Sequence, residues 1–301
     1  IHHDFYRPVV KSRMSGRLNG DRIESWHYCV VAPSHWQTLI KNSSALQLPG
    51  EAREVVNAIA DAEAKNNDRE NLKGAEDTPY ILGEMKAEQI QFSPGIPVSF
   101  WRSVGHSFNG FFVEGFMDEM AVKAGVDGVE FRRNHLAEGS RERIILDMAA
   151  KSADWGNTRE GIYQGVALDT IKGSSCAQVA DIDIEDGQIR VHRIVCAVDC
   201  GVVINPDIVV TQIQSSIVHG LTATLKGEIT IKNGAVVQNN FDDYEMFRMS
   251  EMPEITVLIV ESTHAPSGVG ECAVPPVAPA IANAVYAATG QRLRSLPLRL
   301  T

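Results

Sequence analysis

The sequence predicts an α+β fold of mixed helices and hairpin-rich sheets. Two observations carry that prediction. Strand-like and helix-like segments fall in blocks rather than in regular βαβ alternation. Asp-Gly and Asn-Gly pairs between alternating apolar runs mark two hairpins. With 301 residues, of which 44% are hydrophobic and 22% charged, the chain has the composition of a globular protein that can bury a substantial core.

Taken in order, Asp21–Val31 (DRIESWHYCVV) has strand composition, and Glu51–Asn66 (EAREVVNAIADAEAKN) has helical spacing. Residues 67–79 are polar and rich in turn formers. Gln89–Trp101 alternates but is broken by Pro94-Gly95 and Pro97, which predicts an extended segment leading into something tight. Ser107–Ala124 is helical and stops at Gly125; Val129–Leu136 and Arg141–Trp155 continue the helical block. From Tyr163 the pattern changes to strands. Cys176–Ile184, the turn Glu185-Asp186-Gly187 and Ile189–Val198 form the first hairpin. A helix is predicted from Pro206 to about Leu225, with Asn205 as N-cap and Pro206 at N1. The second hairpin is Glu228–Lys232, Asn233-Gly234, Ala235–Gln238. Glu254–Glu261 is a strand, and a Gly-rich loop precedes a last helix, Pro275–Thr289, closed by Gly290. The segment Gly156–Gly161, between the helical and strand blocks, predicts a boundary that divides the chain into residues 1–158 and 159–301.

A net charge of −10 excludes a nucleic-acid surface, because no basic stripe is present to neutralise phosphates. No apolar run reaches the roughly 18 residues that span a bilayer, and no signal peptide is recognisable. The chain opens at Ile1 without Met, so an upstream segment is expected to be missing, and localisation stays open between cytoplasm and periplasm of a bacterium. The five cysteines (Cys29, Cys176, Cys196, Cys200, Cys272) form no disulfide framework. Cys196 and Cys200 lie in Arg193–Gly201, which reads as a buried strand; they are core thiols or, with no second pair to help them, metal ligands. An iron–sulfur cluster, which needs four suitably spaced thiolates, is excluded for this chain.

The most informative motif is Pro266-Ser-Gly-Val-Gly-Glu-Cys-Ala-Val-Pro-Pro-Val-Ala-Pro279. Gly268 and Gly270 let backbone approach a ligand without a Cβ, and the helix start at Pro275-Pro276 favours a nearby anion. Glu271 is then a carboxylate in a crowded bend, or else a solvated glutamate in an ordinary turn. In Val98–Gly105, Arg102 beside Trp101 can offer a planar fork to an oxyanion, or can pair with an acidic neighbour. Gln212 follows the strand end at Cys200–Asp207 and can hydrogen-bond a ligand or face solvent. Ser216 and His219 share its helical face, although a lone histidine also suits a packed core. No chemistry attaches to His2-His3. Phosphate-loop, zinc-protease and nucleophile-elbow motifs are absent from the sequence.

Several segments in this order resemble the large subunits of the isoquinoline 1-oxidoreductase branch of the xanthine oxidase and aldehyde oxidase family of molybdenum hydroxylases. They are DFYRP at Asp4, FWRSVGHSFN at Phe100, VEGFMDEMA at Val113, CAVDCGVVINP at Cys196, FDDYEMFRM at Phe241 and GVGECAVPPVAPAIANAVYAATGQRLRSLPL at Gly268. The resemblance implies a molybdopterin-binding-domain fold and oxidation of N-heterocycles or aldehydes with water-derived oxygen. It matches Glu271 to a base that takes a proton from the molybdenum-bound hydroxyl, Gln212 to a glutamine beside the metal, and Arg102 with Trp101 to the wall near substrate and cofactor. Gly268 and Gly270 fall in the cofactor-facing bend, and no residue is matched to a direct metal ligand. The implied cofactor is molybdopterin, in its cytosine dinucleotide form, with iron–sulfur clusters on a small partner subunit. Two positions depart from the family pattern: Gln214-Ser215-Ser216 stands where Glu-Gly-Gly is usual, and Cys272 where Pro is usual. The family's Gly-Gln-Gly and Gly-Gly-Phe-Gly loops are expected in an N-terminal region of the same subunit. The isolated chain is therefore expected to bind molybdopterin poorly or not at all, and to be inactive by itself. The alternative is a non-catalytic binding or assembly module that retains the fold.

Overall fold

A computed structural model describes residues 9–34, 49–65, 69–92, 95, 98, 100–240 and 242–300. The DFYRP segment, His2-His3, Pro94 and Pro97 lie outside the described residues. The chain forms two compact units, one comprising residues 1–78 and 82–109, the other 79–81 and 110–301. This differs from the division between 158 and 159 that the sequence predicts. Residues 110–158 sit with the second unit, because their helices pack on its sheet.

In the first unit, β1 (Lys11–Asn19) pairs antiparallel with β2 (Arg22–Ala32), and β2 pairs parallel with β3 (Glu84–Gln91), in the order β1-β2-β3. β2 alternates buried and half-exposed residues, so Trp26, Tyr28 and Val30 form the inner face. The predicted extended run thus begins earlier than expected, at Glu84 rather than Gln89. Helix α1 (Gly50–Lys65) follows the predicted helical spacing. Tyr28 donates a hydrogen bond to Asn109, whose amide nitrogen donates to the carbonyls of Asn71 and Lys73. That side chain ties the start of the helix that opens at His106 to the Asn71–Lys73 backbone.

Helix α2 (His106–Ala124) ends at Gly125, whose φ of +68° supplies the left-handed stop. In the second unit it is followed by α3 (Gly128–Asn134), capped by Asp127, and α4 (Arg141–Ser152), capped by the Ser140 hydroxyl. The buried Arg132 guanidinium bonds Glu114 at 2.7 Å and the Gly128 and Glu114 carbonyls, and Tyr80 donates to the other Glu114 oxygen at 2.5 Å. Burial raises Glu114 despite the arginine.

In the second sheet, strands β4 (Tyr163–Ile171), β5 (Ser174–Glu185) and β6 (Gln188–Asp199) are antiparallel neighbours. Strand β9 (Glu254–Ile259) lies parallel to β6 and completes the order β4-β5-β6-β9. The Asp186-Gly187 turn has both φ angles positive (51° and 73°), as a two-residue hairpin demands. Helix α5 (Pro206–Leu225) starts under the Asn205 cap as predicted and buries Ile213, Ile217 and Leu221, each worth about 1.5–3 kcal/mol of burial. The Asn-Gly hairpin is shorter than expected: β7 is Ile231–Lys232 and β8 Ala235–Val236. Helix α6 (Val277–Thr289) ends at Gly290 with φ +73° and lies on β4, where a Cβ on Gly165 would stand 2.1 Å from the Ala280 carbonyl oxygen. Cys176, Cys196, Cys200 and Cys272 join the apolar cluster between this sheet and α5 and α6. Among the described residues no helix is long and apolar enough to cross a membrane.

Candidate functional site

Strand register decides where the candidate loop sits. Ile171 pairs with Ser174, Ser175 with Asp199, and Val198 with Ile259. The β4–β5 turn, the segment leaving β6 and the segment leaving β9 therefore emerge at one end of the sheet. Rigid strands that present irregular loops are a common platform for chemistry.

The segment from Val260 to Pro276 has no helix or strand, yet it is fixed along its length. Val260 N–H donates to Val198 O, Val202 N–H to His264 O, and Ser267 N–H to Cys200 O, all at 2.9 Å. Gly201, at φ +74°, is needed there, because a Cβ would stand 2.1 Å from Ala265 O. The Ser174 hydroxyl donates to Gly268 O at 2.8 Å and lies 2.7 Å from the Ser267 hydroxyl, which itself reaches Gly173 O and Cys200 O. Beyond Glu271, Gln178 of β5 donates to Ala273 O at 2.8 Å and the Cys272 side chain is buried.

Within this frame Glu271 is half-buried, its side chain 28% exposed, and its Oε2 accepts from Lys172 Nζ at 2.5 Å. The carboxylate is neither fully solvated nor enclosed: an exposed ammonium is its partner. Gly268 and Gly270 require no glycine for reasons internal to the chain. Neither has φ in the left-handed region, and among the described residues a Cβ on either would meet no atom within 4 Å beyond its chain neighbours. At both positions the backbone borders open space. Gln212 is half-buried on α5, and Ser216 one turn later donates to Gly270 O at 3.4 Å. The serine that departs from the family's glycine thus bonds the candidate loop. His219 is exposed, which removes the packed-core reading of it. The N-terminus of α6 is buried, and its Val277 N–H is taken by Val274 O.

Trp101 and Arg102 belong to the first unit and are half-buried. They precede a turn in which Ser103 and Val104 have φ of 77° and 48°. A β-branched residue at such an angle is an outlier, and each costs on the order of 1–3 kcal/mol. The turn is held by Val104 N–H to Trp101 O at 2.8 Å and the Ser107 hydroxyl to Val104 O at 2.7 Å.

Behind the loop, Cys176 Sγ lies 3.2 Å from Cys196 Sγ. Hydrogen bonding to Cys176 and burial push the Cys272 thiol well up, and burial does the same to Cys176. Thiols so shifted are inert packing groups at neutral pH. Among the described residues no group of three or more His, Cys, Asp or Glu is placed to hold a metal ion.

A family model described as a molybdopterin cofactor-binding domain matches residues 116–253. The chain is 34% identical over 210 residues to the beta subunit of isoquinoline 1-oxidoreductase from Brevundimonas diminuta, covering 68% of this chain and 27% of that protein. The chain belongs to the xanthine oxidase and aldehyde oxidase family of molybdenum hydroxylases. A nicotinate dehydrogenase subunit of Pseudomonas putida is 30% identical over 241 residues, 73% of this chain and 20% of that protein. The crystal structure of quinoline 2-oxidoreductase from Pseudomonas putida 86 superposes with a TM-score of 0.74 at 12% identity, covering 93% of this chain and 59% of that one. The chain therefore spans between a fifth and a third of the length of these curated relatives. The family model includes Gln212 and ends before Gly268.

Sequence reasoning missed several residues that pack around the candidate loop. Lys172, Ser174 and Ser267 carried no motif, although Lys172-Gly173 inside an alternating run is a turn signal that could have been read. The Arg141–Asp199 pair was also missed. Arg141 bonds both Asp199 carboxylate oxygens at 2.8 Å and Gly173 O at 2.9 Å. Burial alone would raise Asp199, but the hydrogen bonds from Arg141 and Gly201 N–H hold it below the usual carboxylate range.

Proposed function

We propose that this chain forms part of the catalytic large subunit of a molybdenum hydroxylase that oxidises N-heterocycles or aldehydes with water-derived oxygen. The observation that carries the reading is a half-buried glutamate, Glu271, on a fixed loop whose glycines leave backbone bare for no reason of internal packing. Gly268, Gly270 and Gln212 would hold the molybdenum cofactor, read here as the cytosine dinucleotide form of molybdopterin, and Trp101 and Arg102 would line the substrate side. When bound, the cofactor supplies two-electron redox chemistry, and electrons leave through iron–sulfur clusters on a partner subunit. Glu271 takes up the proton released as the oxygen nucleophile forms, a general-base contribution of about 10²–10⁴ in rate. The remaining cofactor contacts come from a further region of the same subunit.

The test uses the complete subunit with its iron–sulfur partner. Glu271→Gln is expected to leave molybdenum content unchanged while kcat falls at least about 100-fold. Retained turnover overturns the assignment of Glu271. The second reading, a non-catalytic binding or assembly module, is favoured by the Lys172–Glu271 ion pair and by Ser215-Ser216. Stoichiometric molybdenum and turnover in the complete subunit eliminate it.

A further inference from the structure

The ammonium that holds Glu271 sits in a place the fold does not choose for convenience. Lys172 occupies the apex of the β4–β5 turn with φ +51°, followed by Gly173 at φ +84°. Lysine is poorly suited to the left-handed region, where Asn, Asp or Gly is the usual occupant of such a turn. Its side chain is 65% exposed, so no buried contact accounts for it. What it does have is Glu271 Oε2 at 2.5 Å.

Both ends of that contact are anchored. The turn is fixed by Arg141 and Ser267, which both donate to the Gly173 carbonyl at 2.9 Å, and by Ser174, whose hydroxyl donates to Gly268 O. A Cβ on Gly173 would lie 3.3 Å from the Ser267 Cβ, so turn and loop are in close contact. The glutamate end is fixed by the Ser216 bond to Gly270 O and by the Gln178 bond to Ala273 O. Between these anchors the glutamate side chain still has three rotatable bonds, and a general base must present an oxygen within about 2.6–3.2 Å of its proton. Misplacement by about 1 Å can cost on the order of 100-fold.

We infer that Lys172 is a positioning residue for Glu271: by gripping Oε2 from a hairpin apex stitched to the same loop, it sets the direction in which the carboxylate faces the reaction. The inference rests on the reading of Glu271 as the base. Lys172→Met keeps the stem and the backbone requirement and removes only the ammonium; Lys172→Arg restores a cation.

The experiment compares these variants with Glu271→Gln in the complete subunit with its iron–sulfur partner. Lys172→Met is expected to lower kcat about tenfold, with KM within twofold and molybdenum content unchanged, and Lys172→Arg to recover kcat to within about twofold. A readout independent of turnover is the side-chain ¹⁵Nζ resonance of Lys172 in the complete subunit, assigned by its loss in Lys172→Arg. It should move when Glu271 becomes Gln. A wild-type kcat in Lys172→Met, failure of Lys172→Arg to rescue, or an unmoved resonance each overturns the positioning role. If Glu271→Gln keeps full activity, the base assignment itself has failed. If Glu271→Gln is inactive while Lys172→Met is normal, only the role of Lys172 is lost.

Discussion

At Ser103 and Val104 the backbone adopts left-handed φ angles with no glycine to ease them, whereas at Gly268 and Gly270, where glycine would permit such angles, φ lies elsewhere. The first region holds its candidate residues, Trp101 and Arg102, beside a turn whose strain is sustained by hydrogen bonds from Val104 and Ser107. The second holds Glu271 on an unstrained loop sewn to neighbouring strands through Ser174, Ser216 and Gln178. The contrast separates two uses of residue type. Side chains are kept at 103 and 104 despite the backbone, and they are omitted at 268 and 270 although the backbone would accept them. Geometry alone would have arranged both the other way round.

The largest test of this contrast is Gly105→Ala. A Cβ there would stand 2.0 Å from the Glu70 carbonyl oxygen, and backbone cannot move aside cheaply. The chain is expected to lose about 3 kcal/mol or more in urea unfolding. A loss under about 0.5 kcal/mol would mean that the strained turn is not pinned at this point.

A smaller effect in the opposite direction is expected for Val104→Asn, because asparagine enters the left-handed region far more readily than valine. Urea unfolding should show a gain of about 1 kcal/mol. No gain would show that the angle costs the chain nothing, and the contrast with the glycine loop would lose its meaning.

The smallest stability effect belongs to Gly270→Ala. With no atom within 4 Å of the added methyl and no left-handed φ, stability should change by less than about 0.5 kcal/mol, or rise slightly as the unfolded chain loses freedom. Molybdenum content of the complete subunit should nevertheless fall severalfold by elemental analysis. Unchanged content would show that the bare backbone at 270 is not used by the cofactor.

Local signals made much of this fold legible. The Asp186-Gly187 and Asn233-Gly234 turns, the Asn205 cap and the Gly290 stop all stand where residue chemistry placed them, because each depends on a few adjacent residues. The Gly268–Glu271 bend was also visible as a motif. The parallel pairing of β6 with β9 was not, since no local periodicity records a partner so far along the chain. That pairing is what brings Lys172, Ser174 and Ser267 around the bend, so the supporting residues were hidden with it. The division into units was hidden for a related reason. Gly156–Gly161 reads as a linker, but Arg193 of β6 reaches across it to the Ala153 carbonyl at 2.8 Å and ties the helical block to the sheet.

The β6–β9 ladder also carries a cost that the hairpins beside it do not. β6 and β9 are separated in sequence by α5 and the small hairpin, and closing that long excursion costs more entropy than closing a hairpin. Hydrogen bonding along β4, β5 and β6 needs only short connections and can form without waiting. The segment bearing Glu271 leaves the last strand to join this sheet. Its final geometry therefore rests on a pairing of long sequence separation, which carries a larger loop-closure cost than the hairpins beside it.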